Sequence, residues 1–253
     1  MNQAKRQKLI FEMIKVKGEV KTRELAEKLN VSVMTIHRDL KELAKNGHIE
    51  LIYGGAVYKE QPITEAPIHE KKLIGQYCNQ LIPPGSSIFI ETGTTTLAVA
   101  KEIFNKKNCT FFTNSLFVMN ALSKYDDIHL HAVPGKYREL SKGFIGIQTG
   151  EYLQNFHFDY CIIGTEGICA ETGVTVPDQE DAFTKRAVIK RGICRILVAD
   201  SSKFGKKFLY KVGDLSAFDY IITDYKIDRQ IFERIKQITR IIAVSEENVQ
   251  EEL

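Results

Sequence analysis

No stretch of the 253-residue chain is long and apolar enough to cross a membrane as a helix. Lys5, Arg6 and Lys8 also make its first residues too charged for a secretory leader. These two absences lead us to expect a soluble cytoplasmic protein with no membrane partner. The five cysteines, Cys78, Cys109, Cys161, Cys169 and Cys194, form no Cys-x-x-Cys pair, and three of them lie in apolar strand-like runs. Buried reduced thiols are therefore expected rather than disulfides or a zinc site. His129 and His131 share one face of a strand-like run, but no third ligand lies nearby in sequence, so no metal is expected. A Gly-Lys-Ser/Thr phosphate loop is missing as well, and nothing calls for a cofactor. The excess of basic residues is small and unevenly placed. Residues 1–60 hold 12 Lys/Arg against 8 Asp/Glu, leaving 23 against 24 for the remainder of a chain with net charge +3. The length suits one small domain and one of ordinary size.

Residues 1–58 contain three short helical patterns and a hairpin. Over residues 5–16, Leu9, Ile10, Met13 and Ile14 recur at three- and four-residue spacing and line one apolar stripe, which Gly18 ends. A shorter pattern starts at Thr22 as N-cap, turns Leu25, Ala26 and Leu29 inward and closes at Asn30 in a left-handed turn. Ser32 is expected to cap a third helix, with Val33, Ile36, Leu40 and Leu43 buried and Gly47 as its stop. The opposite face of that helix carries Met34, Arg38, Lys41 and Lys45, flanked by Thr35 and His37. Residues 48–58 then alternate about a tip at Tyr53, Gly54 and Gly55, as a tight hairpin does.

A helix with one docking side and one side of long donors can enter the major groove and reach base edges and phosphates. Arg38 is the first candidate for such a contact. A merely solvated charged face is the alternative, and the hairpin behind the third helix is what favours DNA, because it reads as a wing. The balance of +4 over residues 1–60 is modest, so affinity for double-stranded operator DNA should depend strongly on salt and gain from a homodimer or homotetramer that engages two half-sites.

Residues 59–70, with Pro62 and Pro67 and no helical or strand period, read as a linker. From residue 71 to 253, apolar strand-like runs near 87–91, 110–113, 128–133, 159–164, 194–199, 220–223 and 241–244 alternate with amphipathic helical ones. That alternation predicts a mainly parallel sheet covered on both faces, with ligands at the carboxyl ends of its strands. Glu91, Thr92, Gly93, Thr94, Thr95 and Thr96 lie between such a strand and a helix beginning near Leu97. Their amides and hydroxyls can face an anion at a helix N-terminus. The alternative is that Thr94 or Thr95 simply caps the helix.

The run from Ser32 through Thr35, His37 and Arg38 to Leu40, preceded by Arg6, Ile10 and Ile14, resembles the N-terminal signature of the DeoR/GlpR family of bacterial transcriptional regulators. Gly54, Gly55 and Ala56 match its wing, while Leu51 stands where a basic residue is usual and His37 where arginine is commoner. The resemblance continues through nearly all the chain. It takes in the loop at 91–96 (with Glu91 for the usual Asp), Thr113-Asn114-Ser115, residues 164–168, Lys185 and residues 199–205, and departs at Pro134, before Lys136, where a glycine is common.

The resemblance implies a repressor of a sugar-metabolism operon. Its winged helix-turn-helix (α+β) would precede an α/β effector-binding and oligomerisation domain of the sugar-phosphate isomerase (ribose-5-phosphate isomerase, glucosamine-6-phosphate deaminase, CoA transferase-like) fold. It also implies a phosphorylated sugar or related metabolite as effector, and no catalytic set. Glu91, Gly93, Thr94, Thr95 and Thr96 would hold the phosphate with help from Lys185 or Lys203, while Asn114, Lys136, Asp178, Glu180 and Asp200 would meet the rest of the ligand. Each has a structural alternative: Lys185 pairing with Glu180 or Asp181, Asp200 and Ser202 capping a turn, Asn114 satisfying loop backbone. The functional alternative is an isomerase-like enzyme with Glu180, Asp181 or Asp200 as acid or base. A sensor with redox-responsive cysteines is a third reading.

Overall fold

The computed structural model describes residues 3–45, 49–58, 68–126 and 128–250. The chain divides into two units, Met1–Glu65 and Ala66–Leu253. In the first, α1 (Gln3–Lys17), β1 (Glu19–Lys21), α2 (Thr22–Leu29) and α3 (Val33–Lys45) precede the hairpin β2 (Ile49–Ile52) and β3 (Gly55–Tyr58). Ile10 and Ile14 of α1, Leu25 and Ala26 of α2, and Ile36, Leu40 and Leu43 of α3 close one core with Val20, Ile49 and Ala56. Each fully buried aliphatic side chain contributes about 1.5–3 kcal/mol by leaving water, so the stripe spacing largely determines how the helices meet.

The described helix ends of this unit follow the expected chemistry with one exception, and two side chains lie off the core. The Gly18 amide donates to Ile14 O at 2.8 Å, Asn30 closes α2 in the left-handed region at φ 51°, and Ser32 Oγ accepts the Thr35 amide at 3.1 Å. Thr22, however, is the first residue of α2 rather than its cap: β1 runs straight into the helix, and the Thr22 amide donates to Gly54 O at 2.9 Å. Val33, expected in the core, is 49% exposed: it continues the stripe of Ile36 and Leu40 into the first turn of α3, where it lines the cleft beside the hairpin and lies beyond the core that those two close. Leu9 lies off the buried stripe and is exposed. Gly47 and His48 lie outside the described residues. The turn of the hairpin is Tyr53-Gly54, and β1 pairs with β3 to give the order β1-β3-β2. Gly55 is required there, since a Cβ at that position would lie 2.1 Å from Val20 O.

The second unit opens with α4 (Ile68–Leu81), so residues 68–70 are helical rather than linker; residues 59–67 lie outside the described set. Then follow β4 (Ser87–Ile90), α5 (Thr94–Ile103), β5 (Thr110–Thr113), α6 (Leu116–Leu122), β6 (His129–Ala132), the hairpin β7 (Lys136–Arg138) and β8 (Gly143–Ile145), and α7 (Ile147–Leu153). The chain continues with β9 (Phe158–Ile163), β10 (Gly167–Cys169), β11 (Gly173–Val176), α8 (Gln179–Ile189), β12 (Gly192–Val198), β13 (Tyr210–Gly213), β14 (Tyr220–Asp224), α9 (Arg229–Lys236), β15 (Ile241–Val244) and α10 (Glu246–Gln250).

The seven apolar runs become one parallel sheet in the order β15-β14-β12-β9-β4-β5-β6. Its two faces have separate cores. Ile88 and Ile90 pack with Ile162, Ile196, Val198 and Ile222 on one face, and Phe89 packs with Phe158, Cys161, Leu197 and Ile221 on the other. This explains why the strands read as unbroken apolar runs instead of alternating. The short strands β7, β8, β10, β11 and β13 form a separate hairpin and an antiparallel sheet in the order β10-β11-β13, which the sequence patterning did not predict. From β4 the chain builds toward β6; it then returns to place β9 on the other side of β4 and builds toward β15. The direction of winding reverses between β4 and β9, and a crevice opens at the carboxyl ends of strands flanking such a point.

Candidate functional site

On α3, the core-facing residues leave Val33, Met34, His37, Arg38, Lys41 and Glu42 on the exposed side. The face is fixed by a buried ion pair. Arg6 Nε donates to Asp39 Oδ2 at 2.6 Å and Arg6 Nη2 to Oδ1 at 3.3 Å, while Gln7 Nε2 reaches Asp39 Oδ1 at 3.2 Å. With Asp39 buried among these donors, α1 locks the rotation of α3 and turns Arg38 outward. Of the residues expected to touch DNA, Met34, His37 and Arg38 share this surface with Lys41, and Tyr53 at the hairpin tip is fully exposed beside Gly54 and Gly55. Ser32 and Thr35 are joined by a 2.8 Å hydroxyl–hydroxyl contact, and Thr22 is buried beneath the cleft between hairpin and helix. The side chain of Lys45 lies outside the described residues.

In the second unit, the reversal point brings residues 91–96 together with Gly164 and the second turn of α8. Gly93 precedes α5 at φ 146°, a conformation L side chains rarely adopt, and its carbonyl accepts from Thr96 Oγ1 at 2.9 Å. Neither Thr94 nor Thr95 caps α5; the first turn is opened by glycine alone. Lys185, 3% exposed, donates to both Glu91 oxygens at 2.6 Å and to Gly164 O at 3.1 Å, and lies 3.6 Å from Asp181 Oδ1. Burial pushes the Glu91 carboxyl up to about 7 against the pull of the Lys185 ammonium. Burial also works against the Lys185 charge, but Asp181, Glu91 and Glu166 outweigh it and keep the ammonium charged above its ordinary range. Glu91, Asp181 and Glu166 thus surround a single ammonium, and this corner is rich in acceptors rather than cations. Lys185 was expected to meet phosphate, yet its donors are already committed to protein acceptors.

The basic corner lies at the start of α5, where Lys203 was expected and Lys71 was missed by sequence reading. Lys71 of α4 donates to Thr94 Oγ1 at 2.8 Å and lies 3.6 Å from Asp200 Oδ2. Burial lowers its pKa, as does the nearby Lys203, while Asp200 opposes both. Asp200 itself accepts from the Ser202 amide at 3.1 Å and from the Ser202 hydroxyl. The only sequence signal for Lys71 was a lysine in an amphipathic helix, which usually marks a solvated face.

Asn114 is fully buried at the end of β5, with Nδ2 donating to Phe144 O at 2.8 Å and Oδ1 left without a partner. Lys136 pairs with Glu180 at 2.9 Å, and Arg138 lies 3.8 Å from Asp178, which caps α8 by accepting the Asp181 amide at 2.9 Å. The first of these pairs is exposed, and the second is half-buried. Elsewhere, His131 stacks on Phe112 with ring centroids 4.4 Å apart, the five cysteines are free thiols, and burial pushes Cys194 up to about 11 and Cys78 and Cys161 higher still.

A family model described as the DeoR-like helix-turn-helix domain matches residues 6–62, and one described as the DeoR C terminal sensor domain matches residues 66–225. The chain belongs to the DeoR family. Its relatives in that family include the glycerol-3-phosphate regulon repressor of Escherichia coli, 35% identical over 88% of this chain and 92% of that protein. The lactose phosphotransferase system repressor of Staphylococcus epidermidis is 32% identical over 96% of this chain and all of that one. Among solved structures, ribose 5-phosphate isomerase from Methanocaldococcus jannaschii is similar over 53% of each chain, with a TM-score of 0.40 and 15% identity. The DeoR-family match joins the two units described above: a helix-turn-helix that presents a basic face, and a sensor domain whose crevice opens at the sheet reversal.

Proposed function

We propose that the protein is a repressor of a sugar-metabolism operon that grips operator DNA through the exposed face of α3 and its wing, and that a phosphorylated sugar or related metabolite controls this grip. The relatives' names support the operon class. The observation that carries the effector class is the polarity of the crevice. At one end the Gly93 turn, the Thr94 and Thr95 amides, Lys71 and Lys203 offer donors and positive charge to a phosphate. At the other, the unpartnered Asn114 Oδ1 and Glu166 Oε2 offer acceptors to sugar hydroxyls. A ligand with an anionic head and a polyol body matches both ends; a dianion with no hydroxyls matches one.

The effector must favour one arrangement of the paired DNA-binding units over another, which a homodimer or homotetramer acting on two half-sites in the cytoplasm would provide. Isomerase activity is the alternative. Its candidate groups Glu180, Asp181 and Asp200 are engaged with Lys136, Lys185 and Ser202.

The test measures operator affinity of the full chain against a panel of sugars with and without phosphate. We expect one phosphosugar to change that affinity, its dephosphorylated counterpart to leave it unaltered, and Thr94→Val with Thr95→Val to abolish the response while keeping DNA binding. A panel without effect, or a double variant that responds like the parent, overturns the phosphate assignment; turnover of the effector in the same samples would restore the enzyme reading.

A further inference from the structure

The first turn of α3 presents apolar side chains where a groove-entering helix is expected to carry donors. Val33 is 49% and Met34 66% exposed, and the core of the unit closes without either. The neighbouring Thr35 hydroxyl is engaged by Ser32. Polar groups return with His37 and Arg38, about one turn further along. Facing this turn, the wing completes a cleft of about 650 Å³ lined by Lys21, Arg23, Val33, His37, Ile52 and Tyr53. Exposed Lys21 and Arg23 suit a phosphate backbone, which has no use for an unbranched thioether or an isopropyl group. In the major groove, thymine alone offers an apolar partner, its C5-methyl group.

We propose that Val33 and Met34 read thymine methyl groups, so that each operator half-site carries thymine where the first turn of α3 docks, with His37 and Arg38 contacting the bases or phosphates beside it. This rests on the DNA-binding reading of α3 and deepens it by naming the base.

Deoxyuridine keeps every hydrogen-bonding edge of thymidine and lacks only the methyl, which makes the proposal testable. The full-length protein would select its preferred duplex from a randomised pool, and each thymidine of that duplex would then be replaced in turn by deoxyuridine. Replacement at the docking positions is expected to weaken binding about fourfold per methyl. The Val33→Ala/Met34→Ala double variant, with an unchanged melting temperature, should bind the thymidine duplex more weakly and no longer distinguish the two bases. Equal binding of thymidine and deoxyuridine duplexes by the parent protein, or full discrimination by the double variant, overturns the methyl reading and leaves DNA binding intact. Failure to select any duplex overturns both.

Discussion

The exposed face of α3 and the crevice between β4 and β9 treat charge in opposite ways. Arg38 and Lys41 stand in water, where a cation keeps its charge at little cost and is available to any approaching polyanion. Lys185 has been withdrawn from water, where an unpaired ammonium would cost several kcal/mol, and is held by Glu91, Gly164 and Asp181. The same residue type is a free ligand donor in one unit and an internal strut in the other. Under the proposed function, residue chemistry alone does not say which lysine would meet a phosphate; the state of its partners does, and Lys71, with one hydroxyl partner and Asp200 at 3.6 Å, has donors to spare that Lys185 has not.

The comparison is broken most forcefully by removing the strut. Lys185→Met leaves the Glu91 and Asp181 carboxylates buried side by side and is expected to cost about 3–5 kcal/mol. For a unit of this size that is roughly 6–20 °C in melting temperature. Calorimetry of the full chain checks it, and a loss under about 1 kcal/mol would mean that Lys185 is not the partner those carboxylates depend on. On α3 the expectation is reversed. Arg38→Ala should leave stability within about 0.5 kcal/mol while weakening operator binding roughly 10- to 100-fold, read by titration at fixed salt; undiminished affinity would remove Arg38 from the interface.

The smallest effect concerns acid. The Ser87 amide and hydroxyl donate to Asp159 Oδ2 at 2.8 and 2.7 Å and hold its carboxyl below the usual aspartate range. A depressed folded-state pKa contributes stability above the unfolded-state value and loses it as pH falls through the folded one. Asp159→Asn should therefore destabilise modestly at neutral pH, by up to about 1 kcal/mol, and converge with the parent once the pH falls below the usual aspartate range and through the depressed folded-state value. Parallel curves throughout that fall would reject the assignment.

Much of the architecture was legible because it rests on long-range repetition in the sequence. Seven apolar runs flanked by helical patterns became the seven parallel strands, with ends shifted by a residue or two, and the stripe through Ile10, Ile14, Ile36 and Leu40 became the core of the first unit. Three- and four-residue strands such as β7, β10 and β13 carry too few side chains to show a period. Val33 was misplaced because an apolar stripe can continue into the first turn of a helix past the point where the core ends. The loop was expected to run from Glu91 to Thr96, but α5 begins at Thr94 rather than near Leu97, so only residues 91–93 join strand to helix and Thr94–Thr96 form its first turn. The chemistry of this segment was only half visible, because Lys71 and Lys185 approach it from 23 and 94 residues away.

The reversal of winding between β4 and β9 also dictates when a sensor can exist during synthesis. Strands β4, β5 and β6 are neighbours in sequence and can pair soon after they emerge, whereas the junction marked by Ser87 and Asp159 joins positions 72 residues apart, and Lys185 lies further still. A chain made from its N-terminus outward thus has its helix-turn-helix clear of the ribosome well before the second wall of the crevice has been translated. A nascent or truncated chain that stops short of α8 carries the DNA-reading half without Lys185, and so without the ammonium that ties Glu91 to Gly164 across the crevice.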